Sequence, residues 1–126
     1  MDRYLLDTDV IIEWLKKNEV VVEKIKGFIK RGAVIAWTPV SVAEIYTGIR
    51  DGEEGIVSEL FLVLEVLLLT EEVGKKAGEY LKRYSRSHAL EIADALIAGS
   101  ASHYKMTLWT INKKHYPMED IRFFHL

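Results

Sequence analysis

Three carboxylates in this chain stand where an acid can do chemistry: Asp7 behind the apolar run that begins at Tyr4, Glu44, and Asp94 in the stretch Ala89 to Ala101. That last stretch is small or apolar at nearly every position, interrupted only by Glu91, Asp94, Gly99 and Ser100. A helix of this kind reads as buried all round, and a buried ionised carboxylate is costly unless it is paired or holds a cation. Each acid also has a plainer reading. Asp7 can cap the helix that follows it. Glu44 can be an exposed helix residue, and Asp94 can accept hydrogen bonds or pair with Lys or Arg. The choice turns on whether the three meet, because like charges at one place raise one another's pKa unless a cation compensates them.

The elements that must position these residues follow from hydrophobic periodicity. Tyr4 to Leu6 reads as a short buried strand stopping at Asp7, followed by a helix through Val10, Ile11, Trp14 and Leu15. Asn18 caps a second helix that ends at Gly32. A strand over residues 33–37 leads to the pair Thr38-Pro39, a cap with proline in the first helical turn. The helix it opens carries Glu44 and runs to about Gly48-Ile49. After the charged turn from Arg50 to Gly55, the spacing of Ile56, Val57, Leu60, Phe61 and Leu64 is helical, and residues 66–69 read as a third strand. Thr70 caps the next helix, and Ser87 is expected to cap another running from His88 to about Tyr104. A fourth strand, residues 107–110, precedes Ile111-Asn112-Lys113-Lys114-His115-Tyr116-Pro117, and Ile121 to Leu126 is expected to form a short last strand.

Alternating strands and helices predict an α/β fold: a three-layer α/β/α sandwich around a mostly parallel sheet of about five strands. Ligands of such sheets bind beyond the carboxyl ends of the strands. Asp7 ends strand one, Glu44 lies shortly after strand two and Asn112 follows strand four. The helix with Asp94 precedes strand four and so starts near the same edge, with Asp94 roughly 9 Å along it. All four positions can converge there, which makes the plainer readings of the three acids less attractive together than singly.

Composition bounds the rest. A chain of 126 residues, 49% of them hydrophobic, suits one domain over 1–126, burying roughly two-thirds of its unfolded surface. The most apolar stretch, residues 56–69, is too short to cross a bilayer and carries Glu59 and Glu65, and there is no signal pattern, so a soluble cytoplasmic protein is expected. Cysteine is absent, which leaves histidine and carboxylates as the strong metal ligands. Gln is also absent and Asn occurs twice, a depletion of thermolabile residues that hints at a thermophilic source. A formal charge of −2 neither demands nor excludes nucleic acid.

Four segments together carry a resemblance: Asp7-Thr8; Thr38-Pro39-Val40-Ser41-Val42-Ala43-Glu44-Ile45-Tyr46-Thr47-Gly48; Asp94-Ala95-Leu96-Ile97-Ala98-Gly99-Ser100-Ala101; and Thr110-Ile111-Asn112-Lys113-Lys114-His115-Tyr116. In this order and at about these spacings they resemble the PIN-domain nucleases, and more narrowly the toxin ribonucleases of VapC type. The resemblance spans essentially the whole chain, although no single segment is specific. It implies an α/β/α sandwich that cleaves RNA with Mg²⁺ or Mn²⁺, a cognate antitoxin, and a homodimer. Asp7, Glu44 and Asp94 match the acidic triad that binds metal in that family.

The fourth position departs from the pattern. Many members carry a further Asp in the loop after strand four, where this chain has Asn112, or three residues later, where it has His115. An Asn carbonyl can still orient a water but adds no charge, which puts a second metal in doubt. Thr8 and Thr110 are candidates to hold a carboxylate or water, with strand-end capping as the other reading. Asp9 either faces the mouth of the crevice or caps the first helix. Glu91 is an extra acid or a salt-bridge partner. Lys113, Lys114 and His115 are candidates for substrate phosphate, His115 otherwise packing beside Tyr116-Pro117, with Lys82, Arg83 and Arg86 as further cations. Oxygen-only ligands suit Mg²⁺, with Mn²⁺ as a substitute. Through such an ion a water can lose its proton near neutral pH and be aimed in line at a phosphodiester. No Ser, Thr or Cys nucleophile paired with a base is evident.

Two rivals remain. Asp7-Thr8-Asp9-Val10 also resembles the first motif of haloacid-dehalogenase-like phosphatases, with Thr38 mimicking their second, but Asp94 lies inside a helix where that family places acids after a strand. The other is a degenerate domain that binds RNA or a partner and cleaves nothing, with Asn112 as its first lost ligand.

Overall fold

The computed structural model describes residues 2–126, with the side chain of Phe61 outside that description. In chain order the elements are β1 (Arg3–Leu6), α1 (Thr8–Leu15), α2 (Glu19–Lys30), β2 (Val34–Trp37), α3 (Pro39–Gly48), α4 (Glu54–Val63), β3 (Glu65–Val66), α5 (Glu71–His88), α6 (Ile92–Tyr104) and β4 (Thr107–Trp109), followed by a 3-10 turn over Lys113–His115. The strands form one parallel sheet in the order β3-β2-β1-β4. The chain moves outward from β1 to β3 and then crosses back to place β4 on the far side of β1. Residues after β1 and β4 therefore meet at the carboxyl edge where the winding reverses, the place where such sheets open a crevice.

Strand periodicity builds two cores. Leu5, Ala36 and Leu108 pack against α5 and α6, with Ala77, Tyr80, Ala95, Ile97 and Ala98. Their neighbours Leu6, Ile35, Trp37 and Trp109 point the other way, into Val10, Ile11, Ile25, Phe28, Ile45, Val57 and Leu60 of α1 to α4. Gly99 sets the closest approach of α5 to α6: a Cβ there would stand 3.0 Å from the Val73 carbonyl and 3.2 Å from the Ala77 nitrogen.

Several boundaries differ from the sequence expectation. Among the described residues the sheet has four strands, not about five. The terminal segment contributes only a parallel bridge between Phe123 and Leu108, with Leu108 N–H bonded to the Arg122 carbonyl. The third strand is two residues long and ends sooner than residues 66–69, since β2 stops at Trp37 where Pro39 opens α3, and the last ladder bond runs from Leu67 N–H to the Trp37 carbonyl. Thr38 occupies the cap position of α3, but its buried hydroxyl finds no hydrogen-bond partner among the described residues. Helix α4 begins at Glu54, two residues early.

The largest correction lies between α5 and α6. Ser87 caps nothing ahead of it; its hydroxyl turns back onto the Tyr84 carbonyl and the His88 ring, and α5 continues to His88. Ala89 then adopts the left-handed conformation, φ 51°, and the next helix starts at Ile92 with Glu91 as N-cap. Asp94 consequently lies in the first turn of α6 rather than about 9 Å along a helix begun at His88. This end of α6 is also not buried all round, because Ile92 is exposed and the buried residues run from Ala95 to Ala101.

Candidate active site

Asp7 is the hub. Its amide donates to the Trp109 carbonyl at 2.9 Å, which fixes the end of β1 against the end of β4. Its side chain, 7% exposed, accepts three hydrogen bonds: Thr8 N–H on Oδ1, and the Thr110 and Tyr116 hydroxyls on Oδ2, each at 2.8 Å. Asp7 therefore does cap α1 through Thr8, and it does more. Burial, then the charge of Asp9, push its pKa up to about 6 against the pull of those three donors. No cation is among the influences on it.

Thr8 joins Asp7 to Glu44. Its single hydroxyl proton goes to Glu44 Oε1 at 2.7 Å, so the 2.8 Å contact with Ser41 must be a bond that Ser41 donates. Glu44 itself is exposed, one turn beyond Ser41 on α3, and Ser41 is fully buried. The relay Ser41 to Thr8 to Glu44 thus hangs an exposed carboxylate from a buried hydroxyl.

Asp94 belongs to the same edge by its field rather than by a shared bond. Its carboxylate turns back to the Glu91 N–H at 3.3 Å, in a capping box with Glu91, and is half-buried at the positive end of α6. The hydroxyl of Tyr116 feels it: burial first, then the charge and hydrogen bond of Asp7, then Asp94 and Asp9 hold that phenol above its usual range.

Asp9 takes a part that neither reading of its sequence position contained. It binds the loop after β4, accepting from Ile111 N–H at 3.2 Å, Asn112 N–H at 3.1 Å and, more weakly, the Thr110 hydroxyl at 3.3 Å. Asn112 is therefore held through its backbone and its side chain is exposed. In the turn that follows, Lys113 meets the ring of His125, Lys114 is exposed and His115 is half-buried. Glu91 is exposed and makes no ion pair among the described residues; it serves as the N-cap of α6.

Sequence reasoning overlooked Ser41 and Tyr116 as site residues. Ser41 had a signal, its place three residues before Glu44 on the same helical face. Tyr116 had none, since its hydroxyl reaches Asp7 across 109 residues of chain.

The donors suit a hard divalent cation in chemistry and charge. They are carboxylate oxygens, and among the described residues no Lys or Arg pairs with Asp7, Asp9, Glu44 or Asp94. Their present spacing is open: among the described residues no three His, Asp or Glu groups already stand close enough to share an ion.

A parallel sheet of this order, with Asp7 at its switch of winding, defines an α/β/α sandwich of a particular class. The PIN domain family model matches residues 4–119, and the chain belongs to that family. It is 34% identical over 115 residues to ribonuclease VapC10 of Mycobacterium tuberculosis, an alignment covering 90% of this chain and 86% of the relative. Among solved structures, DNA-bound VapBC from Salmonella typhimurium shares the fold with a TM-score of 0.81 at 22% identity over 98% of both chains. FitAB bound to an IR36 DNA fragment superposes with a TM-score of 0.76 at 27% identity, over 98% of this chain and 96% of the other.

Proposed function

We propose that this chain is a divalent-cation-dependent endoribonuclease and the toxin of a toxin-antitoxin pair, with the activity carried by the domain over residues 1–126. The observation that carries the reading is the uncompensated acidic edge, in which Asp7 and Glu44 hang from Thr8 and no Lys or Arg pairs with either of them or with Asp94 among the described residues. The kinship with a ribonuclease directs that chemistry to RNA.

Asp7, Glu44 and Asp94 would hold the ion. Bound there, Mg²⁺, or Mn²⁺ in its place, supplies positive charge against the scissile phosphate and lowers the pKa of an attacking water. The chain's own residues do the rest. Thr8 keeps the carboxylates of Asp7 and Glu44 at a fixed separation, and Thr110 and Tyr116 keep Asp7 from rotating. Asp9 pins the loop after β4, so that the Asn112 amide can orient water and Lys113, Lys114 and His115 can meet backbone phosphates, which carry no sequence information. Glu91 sets the start of α6 and through it the position of Asp94.

The complexes among the structural relatives support a cognate antitoxin as the protein partner. A homodimer, a cytoplasmic setting and a high-temperature source complete the reading; no described helix is long and apolar enough to cross a membrane.

A substrate comparison tests the reaction class. With Mn²⁺ the protein is expected to cut a structured RNA internally and to leave a small phosphate monoester intact. Release of phosphate from the ester with no RNA cleavage would replace the nuclease by the phosphatase, in which Asp7 is a nucleophile and Asp9 a general acid.

A further inference from the structure

A carboxylate offers about four lone-pair directions, two on each oxygen. On Asp7 three are filled: Thr110 and Tyr116 occupy both of those on Oδ2, and Thr8 N–H occupies one on Oδ1. One direction on Oδ1 is left for a ligand. Thr8 and Thr110 flank the strand ends and are placed there by the sheet itself. Tyr116 is different, since it arrives from beyond the 3-10 turn with its ring in the core under α5 and α6 and spends only its hydroxyl on the site. A phenylalanine would fill the same core space without touching Oδ2.

We propose that Tyr116 is a positioning residue that confines Asp7 to a single ligating oxygen and thereby sets the site's preference for a small octahedral cation over Ca²⁺. This rests on the cation reading above and goes beyond it. Mg²⁺ demands near-ideal octahedral geometry at about 2.0–2.1 Å and takes carboxylates one oxygen at a time, whereas Ca²⁺ accepts six to eight oxygens at about 2.3–2.6 Å and readily takes a carboxylate through both. A two-oxygen grip on Asp7 has to break a hydroxyl bond to a charged acceptor, a cost that falls on Ca²⁺ and not on Mg²⁺. Removing the Tyr116 hydroxyl returns one direction on Oδ2 and lifts that cost.

The test is calorimetric titration of the purified protein, without RNA, with MgCl₂, MnCl₂ and CaCl₂ in turn. Wild type, Tyr116→Phe, Thr110→Val and Tyr80→Phe are compared; the last removes a hydroxyl that binds Asp120 and not the acidic edge. The ratio of the Ca²⁺ to the Mg²⁺ dissociation constant is expected to fall about fivefold in Tyr116→Phe, to fall likewise in Thr110→Val, and to stay put in Tyr80→Phe. A hydroxyl that merely stabilises the fold weakens both ions by one factor. An unchanged ratio in Tyr116→Phe therefore overturns the inference while leaving the cation reading intact, and so does an equal fall in Tyr80→Phe. If wild type shows no saturable binding that Asp7→Asn abolishes, both go.

Discussion

At the scale of single residues, the proposed chemistry depends on how Asp7 tolerates its own burial. Its pKa is pushed up to about 6 from an ordinary 3.8, with burial and then Asp9 as the causes. Between those two values the folded protein holds a proton there that the unfolded chain has lost, so stability falls as pH rises from about 4 to about 6. The penalty above that window approaches 3 kcal/mol at about 1.4 kcal/mol per unit. Denaturant unfolding in EDTA should therefore find Asp7→Asn gaining on wild type across that window and keeping the gain at pH 7. A second expectation concerns Thr8. Thr8→Val keeps the shape of the side chain but frees Glu44, and it should lower cleavage or metal affinity about 10- to 100-fold with little change in the unfolding midpoint. Of the residues in this web, Asp7, Thr8, Glu44 and Thr110 were legible in the sequence because each borders a strand or shares a helical face with one that does. Ser41 and Tyr116 escaped it, and Asp9 was singled out without the backbone partners it takes, for a polar side chain does not announce which of several nearby groups it will bind.

At the scale of elements, hydrophobic period and caps were reliable guides where the signal is local. Asn18 and Thr70 cap α2 and α5 by accepting from the amides expected of them. The alternation of Leu5 with Leu6 and of Leu108 with Trp109 sorts the strands onto two cores. Where the signal depends on a partner element it failed. Residues 66–69 are apolar enough for a strand, yet β2 has no free backbone beyond Trp37 to pair with them. Ser87 looks like a cap, but a left-handed Ala89, a conformation for which no glycine gives warning, moves the junction forward and draws Asp94 into the first turn of α6. Gly99 offers a test of the packing that holds that helix. Gly99→Ala must push the α5 backbone away from α6, since the obstructing atoms are main chain. Overpacking should outweigh the better helix propensity of alanine, and thermal unfolding should show a loss of about 1–2 kcal/mol.

At the scale of the whole molecule, topology gives the acids their meaning. The reversal of winding between β1 and β4 sets Asp7 beside Thr110. The α/β/α layering and the parallel sheet were readable from the alternation of elements, and the family from four segments in register. The number of strands was not, because the last segment is apolar and extended but meets β4 through little more than a bridge at Phe123. On the proposed function these carboxylates act together through a divalent cation to hydrolyse RNA. The measurement that tests it most directly is cleavage of a structured RNA by wild type with Mn²⁺, by wild type with EDTA, and by Asp94→Asn with Mn²⁺ at matched concentration. Cleavage by the first sample alone is the predicted result. Equal cleavage by all three would contradict the claim, since neither the ion nor the carboxylate of Asp94 would then take part.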